Sequence, residues 1–294
     1  MKKKAKKNFG KGRKIFFGLL FLLGFLIMIY PIISNQYYRI VQEGETLKFI
    51  KAQSKLDDAE IKERLELAKA YNETLDPSRL SDPYTDKEKK GIAAYAKMLE
   101  LKEMIGYIDI PKIDQKIPVY AGTFEEVLQK GAGHLQGTSL PIGGKSTHSV
   151  ITAHRGLPKA KFFRDLDKLE NGDIFFFHNI AGTLAYEVDQ KLTVEPSNFD
   201  PVLVKENEDY MTLLTCTPYM INSHRLLVRG HRTEYVGPID EDKIIKGQKD
   251  SIYGRFLPYL LVLLGVLFAI TIYELVDYVR FKKKVGIKED EQKD

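Results

Sequence analysis

The chain has 294 residues, of which 44% are hydrophobic and 29% charged, with no tryptophan and a single cysteine. This composition is typical of a globular protein and excludes the disordered and collagen-like classes. The formal net charge is +5, but the basic residues are concentrated at the two ends of the chain. That distribution favours a membrane as partner and argues against nucleic acid.

The first 33 residues predict a membrane anchor. Residues 1–14 carry eight Lys or Arg and no acid, and residues 15–33 carry no charge at all. An uncharged run of this length can cross a bilayer. A cleaved signal peptide would have a shorter apolar core and a small-residue cleavage site, so we interpret the run as an uncleaved transmembrane anchor that follows a basic cytoplasmic tail.

A second apolar run, residues 256–273, predicts another transmembrane helix. Basic residues follow it between Arg280 and Lys284. A buried core helix is the alternative, but the length of the uncharged run and the basic cluster favour a span. Because positive residues flank both runs on their outer ends, both termini, including the tail 274–294, are expected in the cytoplasm. The segment between the two spans is then extracellular.

Residues 34–105 are expected to form a helical region. Residues 56–75 have apolar side chains at helical spacing on one face, namely Ile61, Leu65, Ala68 and Leu75. Two Asp-Pro pairs, beginning at Asp76 and Asp82, disfavour helix and predict a loop. A second helix is predicted over residues 91–105. The region is therefore predicted to be a helical hairpin whose two helices are separated by an irregular loop.

Residues 106–236 predict a barrel or a sandwich of short strands. Short apolar runs alternate there with breaks that contain glycine or proline: YIDIP, IPVY, SVITA, DIFFFHN, LAYEVDQKLTV, MTLLTC and RLLVRGHR. The connection IAGT, residues 180–183, suits a hairpin. The stretch TFEEVLQKG, residues 123–131, predicts a short helix, and residues 237–255 are interpreted as a linker to the second apolar run.

The single cysteine, Cys216, is either a small buried hydrophobe or a chemical group. Strand alternation places it on one face with Thr212 and Leu214, and the next strand begins near His224 or Arg225. An antiparallel hairpin would bring Cys216 beside Arg225 at the rim of a sheet. A thiol reacts as the thiolate, and an arginine supplies charge but accepts no proton, so a nucleophilic cysteine also requires a histidine.

The six candidate histidines are His134, His148, His154, His178, His224 and His231. His154 differs from the others because it follows the β-branched run SVITA, where a strand passes into a loop. Catalytic groups are often held at such positions on a rigid scaffold. His224 is expected on the strand face opposite to Arg225. The other histidines remain candidates for the catalytic base, because the residues alone do not show which strands are neighbours.

Three motifs, TLLTCTP, HRLLVRG and TAHRG, resemble the signatures of sortases, which are cysteine transpeptidases anchored on the outer face of Gram-positive bacteria. The resemblance extends over residues 106–232. It implies a mainly β fold, a sortase-type β-barrel with short helices, preceded by a helical region with a lid loop and flanked by two transmembrane helices. It also implies that His154, Cys216 and Arg225 are the catalytic residues.

The motif DPY within SDPYTD, together with a second membrane span, resembles the pilin-polymerising class C sortases. The resemblance implies a lid made of Asp82, Pro83 and Tyr84. The aspartate is expected to pair with the catalytic arginine, and the tyrosine to cover the thiol. An ordinary Asp-Pro surface turn is the alternative interpretation. Met220 stands where many relatives have glycine, which predicts an altered conformation of its loop.

The activity implied by the resemblance is cleavage of an LPxTG-like sorting signal between Thr and Gly through a thioacyl-enzyme. The acyl group is then joined to a lysine amine of another pilin subunit, with the membrane as a further partner. No cofactor is expected. No metal is expected either, because the acidic cluster Glu206–Asp209 lacks regular ligand spacing.

Two alternatives remain for the function. One is a sortase that attaches surface proteins to a peptidoglycan precursor. The other is a noncatalytic binding module held at the membrane. The motif SLPIGG, residues 139–144, lacks the threonine of a sorting signal and is interpreted as structural.

Overall fold

The computed structural model describes residues 5–75, 80, 94–157, 160–235 and six residues nearer the C-terminus. It divides into two compact units, Met1–Tyr235 and Val236–Asp294. In the second unit the six described residues are helical: Val262, Leu263, Gly265, Val266, Ile270 and Tyr273. The rest of the predicted second span, the linker 237–255 and the tail 274–294 lie outside the described residues.

The first helix, α1, runs without interruption from Ala5 to Gln53. It contains the uncharged run 15–33 and continues well beyond it. Within the described part of the chain, α1 supplies the one helix that is long and apolar enough to cross a membrane, from Gly18 to Gln53. Most of the described side chains in the apolar part are exposed, whereas Phe49 near the other end is fully buried. The helix therefore combines an exposed apolar segment with a segment that packs into the fold.

Polar contacts hold the second half of α1 against the barrel. The guanidinium of Arg39 donates two hydrogen bonds of 2.9 Å to the carboxylate of Asp114. The amide of Gln53 donates to the carbonyl oxygen of Asn179 at 2.9 Å. A bidentate arginine-carboxylate pair fixes orientation as well as distance. The C-terminal end of α1 is consequently fixed to the barrel.

The second helix, α2, extends from Asp58 to Glu73, within the predicted range 56–75. Asp57 caps its N-terminus by accepting a hydrogen bond from the Glu60 amide at 2.7 Å. At the other end, the Asn72 side chain accepts from the Leu140 amide at 2.7 Å and donates to the Leu140 carbonyl at 3.3 Å. These paired bonds attach α2 to the barrel.

The helix predicted over residues 91–105 is wrong. The described residues form one 3-10 helix, Ala94–Leu99, and a strand begins at Met104. Between them Lys102 and Glu103 adopt positive φ angles of 53° and 70°, which a right-handed helix does not allow. The apolar pattern of these residues fits either a helix or a strand. The pairing of Met104 with a neighbouring strand in the barrel favours the strand.

Eight strands form a closed barrel in the order β1-β2-β3-β4-β7-β8-β6-β5 among the described residues. Their bounds are β1 Met104–Ile110, β2 Gln115–Ala121, β3 Ala132–His134, β4 Thr147–Thr152, β5 Ile174–Asn179, β6 Gly182–Val194, β7 Asp209–Thr217 and β8 His224–Thr233. Pairing of β1 with β5 closes the ring. This architecture, a closed barrel that is mainly β with short helices, is the one that the sequence resemblance implies.

The structure contains the predicted hairpin and the predicted short helix, and it also contains a short strand, β3, that the sequence does not predict. The hairpin at residues 180–181 joins β5 to β6, and α3 spans Glu125–Lys130. The three-residue strand β3 was missed because it is too short to show an alternation pattern. Its backbone lies unusually close to a neighbouring turn, since a Cβ on Gly133 would be 2.3 Å from the Gly122 carbonyl oxygen. Only glycine fits there.

Three adjacent strands determine where the chemistry lies. Strand β7 pairs in parallel with β4 and antiparallel with β8. The C-terminal ends of β4 and β7 therefore meet the N-terminal end of β8 at one rim of the barrel. Cys216 and Arg225 belong to these strand ends, and His154 follows the end of β4 by two residues.

Candidate active site

Cys216 and Arg225 are direct cross-strand partners. In the β7-β8 register their Cα atoms face each other, as expected for a hairpin whose strands are joined by a short connection. Both residues are nearly buried, with 6% and 4% of their surfaces exposed. One Arg225 nitrogen, Nη1, donates to the carbonyl oxygens of Asn222 and His224, each at 3.0 Å. The loop itself thus orients the guanidinium at the end of β8.

His154 lies level with Cys216 across the β4-β7 pairing. The last paired residues are Thr152 and Leu214, and the Ala153 amide still donates to the Leu214 carbonyl at 3.3 Å. The Thr215 hydroxyl donates to the Ala153 carbonyl at 2.7 Å. Continuing the same offset two residues beyond the last pair sets His154 beside Cys216. Neighbouring strands lie about 4.8 Å apart, so the imidazole and the thiol share this rim.

A carboxylate that the sequence did not point to stands beside the imidazole. Oε2 of Glu125, the first residue of α3, is 3.4 Å from Nε2 of His154. This is an ion-pair distance, and the interaction is attractive when the imidazole is protonated. Glu125 is well exposed, so water weakens the pair. Its proximity depends on how α3 packs, which no local pattern reveals.

Two of the other histidines are enclosed in the fold. His134 is fully buried, and its Nε2 lies 2.8 Å from the Ser139 carbonyl oxygen. His148 is also buried, with Nε2 2.8 Å from the Thr212 hydroxyl. Burial lowers the pKa of each imidazole to about 4. Both rings are therefore neutral at pH 7 and serve as internal hydrogen-bonding groups.

Each of the remaining three histidines either contacts another side chain or lies far from the rim. His178 stacks on Tyr107 with ring centroids 4.2 Å apart, and burial lowers its pKa to about 3. His224 Nε2 lies 3.2 Å from Glu195 Oε1. His231 is six positions beyond Arg225 on β8, which corresponds to roughly 20 Å of strand. Of the six histidines, His154 is the one that the strand pairing aligns with the thiol.

The predicted lid residues Asp82, Pro83 and Tyr84 lie outside the described residues. Leu80, two positions earlier, is described and packs against an apolar cluster that includes Leu214 and Leu227. These two leucines stand two residues from Cys216 on β7 and from Arg225 on β8. The chain therefore passes close to the candidate site just before the predicted lid.

Met220 lies in the connection between β7 and β8 with a φ of 67°, in the left-handed region that glycine favours. Its side chain is 69% exposed. A Cβ on Gly156 would be 3.4 Å from the Met220 sulfur, so the methionine reaches toward the loop after His154. The methionine thus occupies a backbone conformation suited to glycine.

Comparisons with known proteins point to one family. The sortase domain family matches residues 108–233. A pilus-related sortase C of Group B Streptococcus is 57% identical, with 65% of this chain and 97% of that chain aligned at a TM-score of 0.63. Sortase C-1 of Streptococcus pneumoniae is 58% identical, with coverages of 66% and 100% and a TM-score of 0.64.

A more distant relative is also a sortase. Sortase A of Bacillus anthracis is 26% identical over 169 residues, which cover 57% of this chain and 75% of that protein. The much higher identity to the streptococcal enzymes extends over almost their whole structures. This chain therefore belongs to the sortase family of cysteine transpeptidases, as a class C sortase.

Proposed function

We propose that this sortase polymerises pilin subunits, with Cys216 as nucleophile, His154 as proton carrier and Arg225 as electrostatic partner. The observation that carries the proposal is the direct pairing of Cys216 with Arg225 at the rim where β4 delivers His154. A nucleophile, a proton carrier and a fixed positive charge in one place are the components of acyl transfer by a thiol.

The first half-reaction breaks the peptide bond between Thr and Gly of an LPxTG-like signal. The Cys216 thiolate adds to the threonine carbonyl carbon, and the His154 imidazolium gives its proton to the departing glycine amine. The products are a thioacyl-enzyme and a released C-terminal peptide. Arg225, a permanent cation with a planar set of donors, holds the substrate and stabilises the oxyanion of the tetrahedral intermediate.

The second half-reaction forms the isopeptide bond. A lysine amine of another pilin attacks the thioester, and neutral His154 accepts the proton that the amine loses, while the sulfur departs as thiolate. Glu125 stands 3.4 Å from His154 and favours the imidazolium that results. The proton transfer to His154 and the release of the Cys216 thiolate return the enzyme to the protonation state in which it began.

Support for pilin as substrate comes from two sources. The similar streptococcal structures are described as pilus-related sortase C and as a sortase C1 of a pilus island. The SDPYTD stretch resembles the class C lid motif, and Leu80 immediately before it packs against the apolar cluster that includes Leu214 and Leu227. We propose that Asp82 occupies the Arg225 guanidinium and that Tyr84 screens the thiol until substrate displaces them.

The two apolar runs support a membrane placement. We propose that residues 15–33 and 256–273 both cross the membrane, with both termini in the cytoplasm and the barrel outside the cell. The apolar part of α1 supports the first span. Reporters fused before Phe16 and after Lys284 should be cytoplasmic, whereas one inserted at the exposed Asn171 should be accessible on intact cells. An external reporter after Lys284 would rule out the second span.

The decisive experiment is polymerisation with the full-length enzyme in detergent and pilin subunits that carry an LPxTG signal. The wild type should give an SDS-resistant ladder, and neither Cys216→Ala nor His154→Ala should give one. His231→Ala is the matched control, since it lies at the far end of β8 and should polymerise normally. A ladder from Cys216→Ala would overturn the catalytic assignment.

Two other outcomes would replace the proposed substrate. If the enzyme makes no ladder but attaches single proteins to the cell wall in cells, it anchors proteins to a peptidoglycan precursor. If it does neither and still binds the subunit, it is a binding module. Each outcome contradicts pilin polymerisation.

The lid is tested by the rate at which a small thiol reagent alkylates Cys216. Replacing Asp82 and Tyr84 by alanine should speed alkylation and raise hydrolysis of a signal peptide. Asp86→Ala, which removes the second acid of the same stretch, should react like the wild type. Equal rates in the double variant and the wild type, both folded, would show that this loop does not guard the thiol.

A further inference from the structure

Arg155, the residue after His154, is a buried arginine whose guanidinium joins three segments of the chain. Its side chain is 8% exposed. Nη1 donates to the Thr217 hydroxyl at 2.8 Å, Nε donates to the Arg164 carbonyl at 3.2 Å, and Nη2 lies 2.9 Å from an Asp167 oxygen. Thr217 is the residue after Cys216. Arg155 therefore connects the positions that follow the two proposed catalytic residues.

This contact lies where the backbone pairing of the two strands stops. Strand β4 ends at Thr152, and the Thr215 hydroxyl bonded to the Ala153 carbonyl is the tie on the barrel side of the rim. One residue farther out, His154 and Cys216 lie level. The bond from Arg155 to Thr217 then rejoins the two chains on the outer side. Along the two chains, His154 and Cys216 thus lie between an inner and an outer tie.

An arginine is well suited to such a tie. Removing its charge from water is costly, so a buried guanidinium is retained only when acceptors surround it. Its planar fork binds several acceptors in fixed directions, which a lysine cannot do. The contacts with Arg164 and Asp167 hold the fork in place from the β4-β5 connection. Thr217 is thereby fixed relative to the chain that carries His154.

We propose that Arg155, acting through Thr217, is a positioning residue that sets the distance and angle between His154 and Cys216. The inference rests on the proposed catalytic roles of these two residues. Arg155 touches neither the thiol nor the substrate in this role. Small misplacements of reacting groups cost about 100-fold in rate, so loss of the outer tie should lower kcat rather than weaken substrate binding.

A matched control separates positioning from stability. Arg229 on β8 has a side chain that is 12% exposed and donates two hydrogen bonds to Asp189, at 3.0 Å and 2.8 Å. It is four residues from Arg225, or about 13 Å along the strand. Arg229→Met therefore removes a comparably buried arginine-carboxylate contact away from the rim.

The test measures cleavage of an LPxTG peptide by the detergent-solubilised full chain at a temperature at which every variant is folded. Arg155→Met and Thr217→Val should each lower kcat by about 30-fold or more, with KM changed less than about twofold. Thr217→Ser keeps the hydroxyl and should retain kcat within about threefold. Because both residues act in one contact, the double variant should be no slower than the slower single variant.

The proposal is overturned if Arg155→Met loses no more kcat than Arg229→Met, or if Thr217→Val keeps the wild-type kcat. If Arg155→Met does not fold, the comparison of Thr217→Val with Thr217→Ser decides alone. Failure of the underlying catalytic assignment has a different signature, namely peptide cleavage by Cys216→Ala at the wild-type rate. The two failures are therefore distinguishable.

Discussion

Two buried histidines should make the folded enzyme sensitive to mild acid. His134 and His148 are 0% and 1% exposed, and burial lowers the pKa of each from 6.5 to about 4. Between these pH values the imidazoles are neutral in the folded chain but protonated in the unfolded chain. The unfolded state binds more protons, so stability is complete above pH 6.5 and is lost as the pH falls toward 4.

The size of the effect follows from the pKa difference. Each pH unit below 6.5 costs about 1.4 kcal/mol per histidine, so each residue should remove about 2 kcal/mol at pH 5. Together the two would remove about 4 kcal/mol, a large part of the roughly 5–15 kcal/mol by which domains are stable. Loss of activity below about pH 6 must therefore be separated from unfolding.

The assay is denaturant unfolding at pH 8 and pH 5 for the wild type and His148→Gln. The His148 ring donates from Nδ1 to the Leu203 carbonyl at 3.0 Å, and glutamine cannot titrate in its place. The variant should be less stable at pH 8, but its loss between the two pH values should be smaller by about 2 kcal/mol. An unchanged pH dependence in His148→Gln would refute the reasoning.

Thr212→Val is the matched control for this experiment. It removes the hydroxyl that lies 2.8 Å from Nε2 of His148 but leaves the imidazole in place. The control should lower the free energy of unfolding by about 1–2 kcal/mol at pH 8 and keep the wild-type loss toward pH 5. If the control loses its pH dependence as well, the effect does not belong to the histidine.

Three further predictions concern stability, each measured by denaturant unfolding. Gly133→Ala should cost about 3 kcal/mol or more, because its Cβ would lie 2.3 Å from the Gly122 carbonyl oxygen, and a loss below about 1 kcal/mol would contradict this. Met220→Gly should change stability by less than about 1 kcal/mol, since relief at a φ of 67° offsets the entropy of glycine, whereas a loss above about 2 kcal/mol would disagree. Asn72→Ala should cost about 1–3 kcal/mol by breaking both bonds to Leu140, and no loss would mean that α2 is held by other contacts.

Local patterns in the sequence were sufficient for much of the fold. The amphipathic spacing of residues 56–75 predicted α2, and the glycine-containing connection at 180–183 predicted the β5-β6 hairpin. The pairing of Cys216 with Arg225 was also predictable from local sequence, because the two residues are close along the chain. The short connection of their hairpin sets the register. Resemblance to known sortase motifs added the choice of His154.

Tertiary packing determined the strand at Met104, the neighbours of each strand and the position of Glu125. Apolar spacing over residues 91–105 fitted a helix, but the barrel needed a strand from Met104. The hydroxyl of Thr215 and the carbonyl of Ala153 are 62 residues apart in sequence, and no local signal says that β7 lies beside β4. The placement of Glu125 beside His154 depends on the same closure of the barrel. Sequence patterns report which face of a strand is buried, whereas the choice of its neighbour is made by the free energy of the whole closed sheet.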